Sequence, residues 1–119
     1  MIKTRIDLSK IPAKELPRET IAVDLGEGEN DYWIHALNDA DWMCIAGLYD
    51  NPDDIFRQKN LFVILLACGL EALAGDQRAA KTLLERKTLE AQKIGNRIFQ
   101  MTIDFYNAKG EEAKEAEKN

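Results

Sequence analysis

Leu61–Leu70 reads LFVILLACGL, ten consecutive residues without a polar side chain. This stretch is too short to span a bilayer, which takes about 20 apolar residues. It is also too apolar for a surface helix with one face in water. Its flanks predict a helix over roughly 52–74, buried on most sides in its second half. The flanking residues are a capping asparagine, a proline, two aspartates and a terminating glycine: Asn51, Pro52, Asp53, Asp54 and Gly75.

Length and composition indicate a single folded domain. The chain has 119 residues, of which 45% are hydrophobic and 31% charged, as in ordinary globular proteins. Its two cysteines, Cys44 and Cys68, lie in apolar patterns without a CxxC motif, and we expect reduced core thiols. No basic-then-apolar leader opens the sequence, so we expect a cytoplasmic protein without a membrane span.

The chain divides into three parts by composition. Residues 1–18, which contain Pro12 and Pro17, predict an extended arm. Residues 19–108 predict one globular domain of a hairpin and helices. Residues 109–119 contain no large apolar side chain and predict a flexible tail rich in glutamate and alanine.

A β-hairpin is predicted at the start of the domain. Thr20–Leu25 alternates in hydrophobicity, and Tyr32–Leu37 is rich in aromatic and β-branched residues. The glycine-containing segment 26–31 between them predicts the turn. Because an isolated hairpin is marginal in water, this one must pack against a helix or pair with another chain.

Three further helices complete the prediction. One begins at Asn38 or Asp39 and has an apolar face, and a short one covers 78–87. The last runs over 88–108, capped by Thr88, with apolar residues at alternating spacings of three and four and with Gly95 allowing a close helix crossing. The expected fold is mainly α (α+β), an arm and hairpin followed by a four-helix core around a buried central helix. The first helix presents Trp42, Ile45, Ala46 and Tyr49, and the last Ala91, Ile94, Ile98, Met101, Phe105 and Ala108.

Catalytic and metal-binding patterns are missing from the sequence. His35 is the only histidine, and Cys44 would be its only nearby nucleophile. A cysteine among large apolar residues is ordinarily a core residue. The aspartates at 50, 53 and 54 lack the spacing of a calcium loop, and the GxG at 26–28 lacks the third glycine of a nucleotide site. We therefore expect a non-enzymatic protein without a cofactor or metal.

Charge is segregated along the chain. Glu19–Asp54 contains ten acidic and no basic residues, whereas Ile55–Arg97 contains eight basic and four acidic residues. Either the charges are solvated and paired internally, or they attract a second copy or a basic partner. The basic residues are spread out, so nucleic-acid binding is not expected. Partner contacts are predicted at Asp41, Asp50, Asp53, Asp54, Trp33, Glu111 and Glu112.

The order of these elements carries a family resemblance. ALNDADW at 36–42 leads into a helix, NLFVILLACGLEAL at 60–73 forms the centre, and FYNAKGEEAKEAEKN ends the sequence at 105–119. In this arrangement the chain resembles the tail assembly chaperones of long-tailed bacteriophages over roughly residues 19–119. It departs from them in its short turn at 74–76 and in the long arm before Thr20.

The resemblance implies a role in virion assembly. Such proteins bind and shield the tape-measure protein, help to recruit the major tail protein, and act in the host cytoplasm without remaining in the finished virion. It also implies self-association and a frameshift-extended form of the same protein. Two alternatives stay open: a head–tail connector or minor virion component, and a small-ligand-binding regulatory domain using Trp33, Trp42 and Tyr49.

Overall fold

The computed structural model describes residues 2–12 and 15–118, with side chains up to 108. It confirms a mainly α fold with an antiparallel β-hairpin. In the described residues the strands are β1 (Arg18–Asp24) and β2 (Glu29–His35). The helices are α1 (Asp39–Leu48), α2 (Asp54–Gly69), α3 (Gln77–Arg86) and α4 (Thr88–Lys118), with 3₁₀ turns at Leu8–Lys10 and Glu71–Leu73.

The central helix α2 is surrounded as predicted. No residue of Leu61–Leu70 is exposed, and α2 contacts each of the other three helices. Its predicted bounds were too wide. Asp53, not Asn51, is the N-cap, since its carboxylate accepts from the N–H groups of Ile55 and Phe56 at 3.0 and 3.1 Å. The helix ends at Gly69 because Leu70 turns extended and forms a β-bridge with Ile34.

The hairpin lies on the helices. Both strands sit about two residues earlier than predicted, and Arg18, assigned to the arm, is the first residue of β1. Residues 29–31 pair because the chain reverses within a short loop whose two glycines have positive φ, at Gly26 and Gly28. Leu37 is not in β2, since its N–H donates to the Thr102 hydroxyl at 3.0 Å and its C=O accepts from Tyr106 at 3.0 Å.

Helix α1 begins where it was predicted to begin, but it buries a different set of residues. Asn38 is its N-cap, accepting from the Asp41 N–H at 2.9 Å. Ile45 is buried and Trp42 is half-buried, but Ala46 and Tyr49 are exposed and the expectation of a single inward stripe was wrong. Every position of Trp42–Leu48 is apolar, so periodicity could not identify which face turns inward.

The predicted seam of α4 is confirmed over most of its length. Its buried members are Ala91, Ile94, Ile98 and Met101, with Phe105 half-buried and Ala108 exposed. Thr88 is the first helical residue instead of the cap, and its hydroxyl donates to the Leu84 carbonyl at 2.6 Å. The predicted end at 108 was also wrong. The backbone continues as helix to Lys118, because the segment consists mostly of strong helix formers.

Two glycines let α2 and α4 approach closely. A Cβ added at Gly69 would lie 2.5 Å from Ile98 Cγ2, and one added at Gly95 would lie 2.5 Å from Phe62 Cδ1. Real Cβ contacts essentially never come within 3.0 Å. The expected close helix crossing at Gly95 is therefore present, and Gly69 forms a second contact of the same kind.

Candidate partner-binding surfaces

Helix α1 is apolar on both sides. Its inner side packs on the core, whereas its other side exposes small and apolar residues, among them Met43 at 72% exposure. A helix that is hydrophobic all round is ordinarily buried. This outward side, hereafter the α1 outer face, therefore has the character of a contact surface. It consists of Ala40, Met43, Cys44, Ala46 and Gly47.

Cys44 corrects one expectation directly. It was expected in the core with Cys68, but it is exposed on the α1 outer face, while Cys68 is half-buried. The two thiols are both free. Burial, followed by the neighbouring Asp41 carboxylate, raises the pKa of Cys68 to about 11. Cys68 therefore stays protonated at neutral pH and is a poor nucleophile.

A second apolar surface runs beside the first half of α2. Gln58 lies between two adjoining depressions of about 210 and 290 Å³. The smaller is lined by the end of α1, and the larger by α3 and the start of α4. We call the two together the α2 groove. Its apolar lining comes from Leu48, Tyr49, Ile55, Leu61, Phe62, Val63 and Leu84.

Three of the predicted acidic contact residues gather at one end of this groove. Asp50, Asp53 and Asp54 are exposed in and after the loop that joins α1 to α2. Asp53 caps α2, and Asp54 forms an ion pair with Arg57, which lines the smaller depression. The cluster thus has a structural role in starting α2 and also gives this end of the groove a negative rim.

Asp41 lies elsewhere. It is half-buried beside a shallow depression that His35, Cys68 and Glu71 also border. His35 Nδ1 lies 2.8 Å from the Ala36 carbonyl oxygen. Cys44 is exposed and is not among the residues that border this depression. Among the described residues, no three His, Cys, Asp or Glu side chains gather as a metal site.

Trp33 is on the hairpin, 46% exposed and covered on one side by a cation. The Arg18 guanidinium lies 3.8 Å from the ring centroid of Trp33 and binds both carboxylate oxygens of Glu71, at 2.6 and 2.9 Å. The Arg18–Glu71 ion pair also connects β1 to the 3₁₀ turn at Glu71–Leu73. Arg97 of α4 forms an ion pair with Glu19 of β1, so some of the segregated charge is paired within the chain.

The aromatic residues considered for a ligand pocket do not share one. Trp42 stacks on Tyr106 with ring centroids 6.0 Å apart and also contacts Phe99 at 5.6 Å. Burial raises the pKa of Tyr106 above its ordinary value. Trp33 lies under Arg18, and Tyr49 borders the α2 groove. The three predicted pocket residues therefore have three different surroundings.

Comparisons with known proteins add no family assignment. No family model, curated protein or solved structure matches the chain at a significant level. Within the described ranges, no helix has the length and apolarity to cross a membrane. The predicted contacts at Glu111 and Glu112 concern side chains outside those described.

Sequence reasoning missed the α1 outer face and the α2 groove. The sequence carried one indication of the first, since Trp42–Leu48 offers no polar side chain for a solvent-facing side. An indication of the second was Ile55-Phe56 directly after two aspartates. Both residues are exposed, at 80% and 45%, in the first turn of α2.

Proposed function

We propose that this chain is a non-enzymatic tail assembly chaperone of a long-tailed bacteriophage. In this role it binds and shields the tape-measure protein and helps to recruit major tail protein subunits in the host cytoplasm. The observation that supports the proposal best is the α1 outer face. Its apolar residues are presented on a helix that Ile45 and Trp42 anchor to the core.

The α1 outer face suits an apolar helical partner. Ala40, Cys44 and Gly47 follow one another at spacings of four and three residues, so they form a shallow strip along one side of the helix. Small residues let a second helix approach closely, and the flexible Met43 can adapt to different side chains. A long helical protein with repeated apolar segments could be covered by many copies of such a surface.

Co-expression with the tape-measure protein of the same phage tests the proposal. Its soluble fraction should rise with the unaltered chain and fall again with Met43→Lys, which places a charge on the α1 outer face. The control is Ala72→Lys, at an exposed position of the 3₁₀ turn. If Met43→Lys keeps the partner soluble as well as Ala72→Lys does, with both variants folded by circular dichroism, the α1 outer face is not the binding surface.

The gene offers an independent test. A slippery heptamer in the codons for Glu115 to Asn119, an open overlapping frame and then a very long gene would support the chaperone assignment. A plain stop without an overlapping frame would argue against it.

Purified particles separate the chaperone from a connector or minor virion component. Mass spectrometry of complete virions should not find this chain at structural stoichiometry. Its presence there at the copy number of a ring or connector would favour the alternative.

A further inference from the structure

Residues 2–12 of the arm carry apolar side chains that the described part of the chain leaves exposed. Within residues 2–12 the four large aliphatic residues are 57–91% exposed, and they recur along the whole segment. The same segment contains three basic residues and one acidic residue. An apolar, basic segment of this kind is suited to an apolar groove with a negative rim. The aliphatic residues are Ile2, Ile6, Leu8 and Ile11.

The α2 groove complements this segment, because it is apolar and has acidic residues at one end. Tyr49 and Ile55 line its two depressions and are 59% and 80% exposed. Asp50, Asp53 and Asp54 place exposed carboxylates at the Tyr49 end. Lys59 and Lys81 lie in the larger depression. Arg57 lines the smaller one and pairs with Asp54, so three carboxylates outnumber one cation at the acidic end, which therefore favours a basic segment.

The arm joins β1 at the end of α2 opposite the groove of its own chain. The Pro17 carbonyl accepts from the Ala36 N–H at 3.0 Å, which continues the strand pairing beyond Arg18. Proline favours an extended residue before it, so Leu16 continues in the strand direction. Arg18 is held at Glu71, after the end of α2, whereas the groove lies beside the opposite end of α2, at Ile55.

We propose that the arm of one copy docks in the α2 groove of a second copy, with its basic residues toward Asp50, Asp53 and Asp54. Each chain then offers one arm and one groove. Reciprocal exchange closes a dimer, and one-way exchange builds a ring or a filament. The inference does not rest on the proposed function, because both surfaces belong to this chain.

Sedimentation velocity on two complementary variants tests this assignment. Ile6→Asp/Leu8→Asp disables the arm, and Tyr49→Lys/Ile55→Lys disables the groove, all four at exposed positions. The unaltered chain should self-associate with increasing concentration. Each variant alone should raise the dissociation constant by about tenfold or more. Mixed in equal amounts they should form a one-to-one heterodimer, since one supplies an intact groove and the other an intact arm.

Controls separate this contact from others. Met43→Lys, on the α1 outer face, should leave self-association unchanged. Added salt should weaken the contact, because the charges at its rim are exposed to solvent. An unaltered chain that stays monomeric, a groove variant that associates normally, or a mixture that stays monomeric would each overturn the proposal. Failure of the unaltered chain to keep the tape-measure protein soluble, with intact self-association, would instead count against the proposed function alone.

Discussion

The Thr102 hydroxyl accepts the Leu37 N–H at 3.0 Å and donates to the Ile98 carbonyl at 2.8 Å. Thr102 is fully buried and belongs to α4, whereas Leu37 lies between β2 and α1, 65 positions earlier. One turn further along α4, the Tyr106 hydroxyl donates to the carbonyl of the same Leu37 at 3.0 Å. Side chains of α4 thereby satisfy both backbone polar groups of the residue that joins the hairpin to the helices.

Replacing Thr102 should measure the value of this link. Thr102→Val leaves the buried Leu37 N–H without an acceptor, and we expect the free energy of unfolding to fall by about 1–3 kcal/mol. Thr102→Ser keeps the hydroxyl and should cost only about 1 kcal/mol for the lost methyl group. Urea unfolding followed by circular dichroism gives both values.

Thr82→Val is the matched control for that experiment. The Thr82 hydroxyl donates only to the Arg78 carbonyl one turn earlier in α3, at 3.1 Å. Its loss should change stability by no more than about 0.5 kcal/mol. Equal effects at Thr82 and Thr102 would show that the bond to Leu37 contributes nothing of its own.

Adding a methyl group at the helix crossing should destabilise the protein. Gly69→Ala and Gly95→Ala each bring a Cβ to 2.5 Å from a side chain of the facing helix. Overpacking of this kind costs about 1–3 kcal/mol, which at the interior position Gly95 opposes a gain of about 1 kcal/mol in helix propensity. We expect a net loss at both sites, with the larger at Gly69, because Ile98 is fully buried and cannot move aside.

Gly47→Ala provides the comparison. A Cβ at Gly47 meets no atom within 4 Å, and the residue lies in α1 with an ordinary φ. This change should therefore be neutral or stabilising by up to about 1 kcal/mol. Thermal melts of the three variants would contradict the crossing geometry if all three alanines had the same effect.

The pair of Arg18 and Glu71 should make stability depend on pH. The hydrogen bond from Arg18 lowers the pKa of Glu71 below its usual 4.5, so the folded state binds this proton less readily than the unfolded state. The stabilisation is fully present above pH 4.5 and is lost as the pH falls through the lowered pKa. Glu71→Gln should lower Tm by roughly 1–4 °C at pH 7, as expected for an exposed pair.

The pH profile distinguishes this ion pair from simple packing. The difference in Tm between the unaltered chain and Glu71→Gln should shrink as the pH is lowered below 4.5. Glu85→Gln, at an exposed carboxylate of α3, is the control for the loss of one carboxylate. A Glu71→Gln difference that is constant with pH would contradict the assignment.

The two thiols should differ in reactivity. Cys44 is exposed, whereas Cys68 is half-buried with a pKa of about 11. Iodoacetamide at pH 8 should modify the native chain once, at Cys44, and twice only after unfolding, as read by intact mass and peptide mapping. Modification of Cys68 at the rate of Cys44 in the native chain would contradict the packing around α2.

Local patterns in the sequence predicted the parts of the fold that have a clear contrast between polar and apolar positions. The buried run at Leu61–Leu70, the seam of α4 and the cap at Asn38 are all present. In each case either a complete apolar stretch, a helical period or a capping side chain determined the structure.

Where that contrast was missing, prediction failed. Trp42–Leu48 has no polar residue, so the sequence did not reveal that Cys44 and Ala46 face outward. The strand bounds depended on contacts with distant residues, since Leu37 leaves the sheet to bond with α4. For the candidate surfaces, Asp50, Asp53 and Asp54 do lie together, whereas Asp41 lies elsewhere.

The helix crossing constrains how this sequence can change over evolutionary time. Gly95 faces Phe62, and Gly69 faces Ile98, so each glycine and its bulky neighbour share one volume. A larger residue at either glycine position is tolerated only if the facing residue on the other helix becomes smaller. An example is alanine at 95 together with valine or leucine at 62. The members of each pair should therefore be exchanged jointly, and such coupled replacements would mark a distant relative even where little else in its sequence agrees.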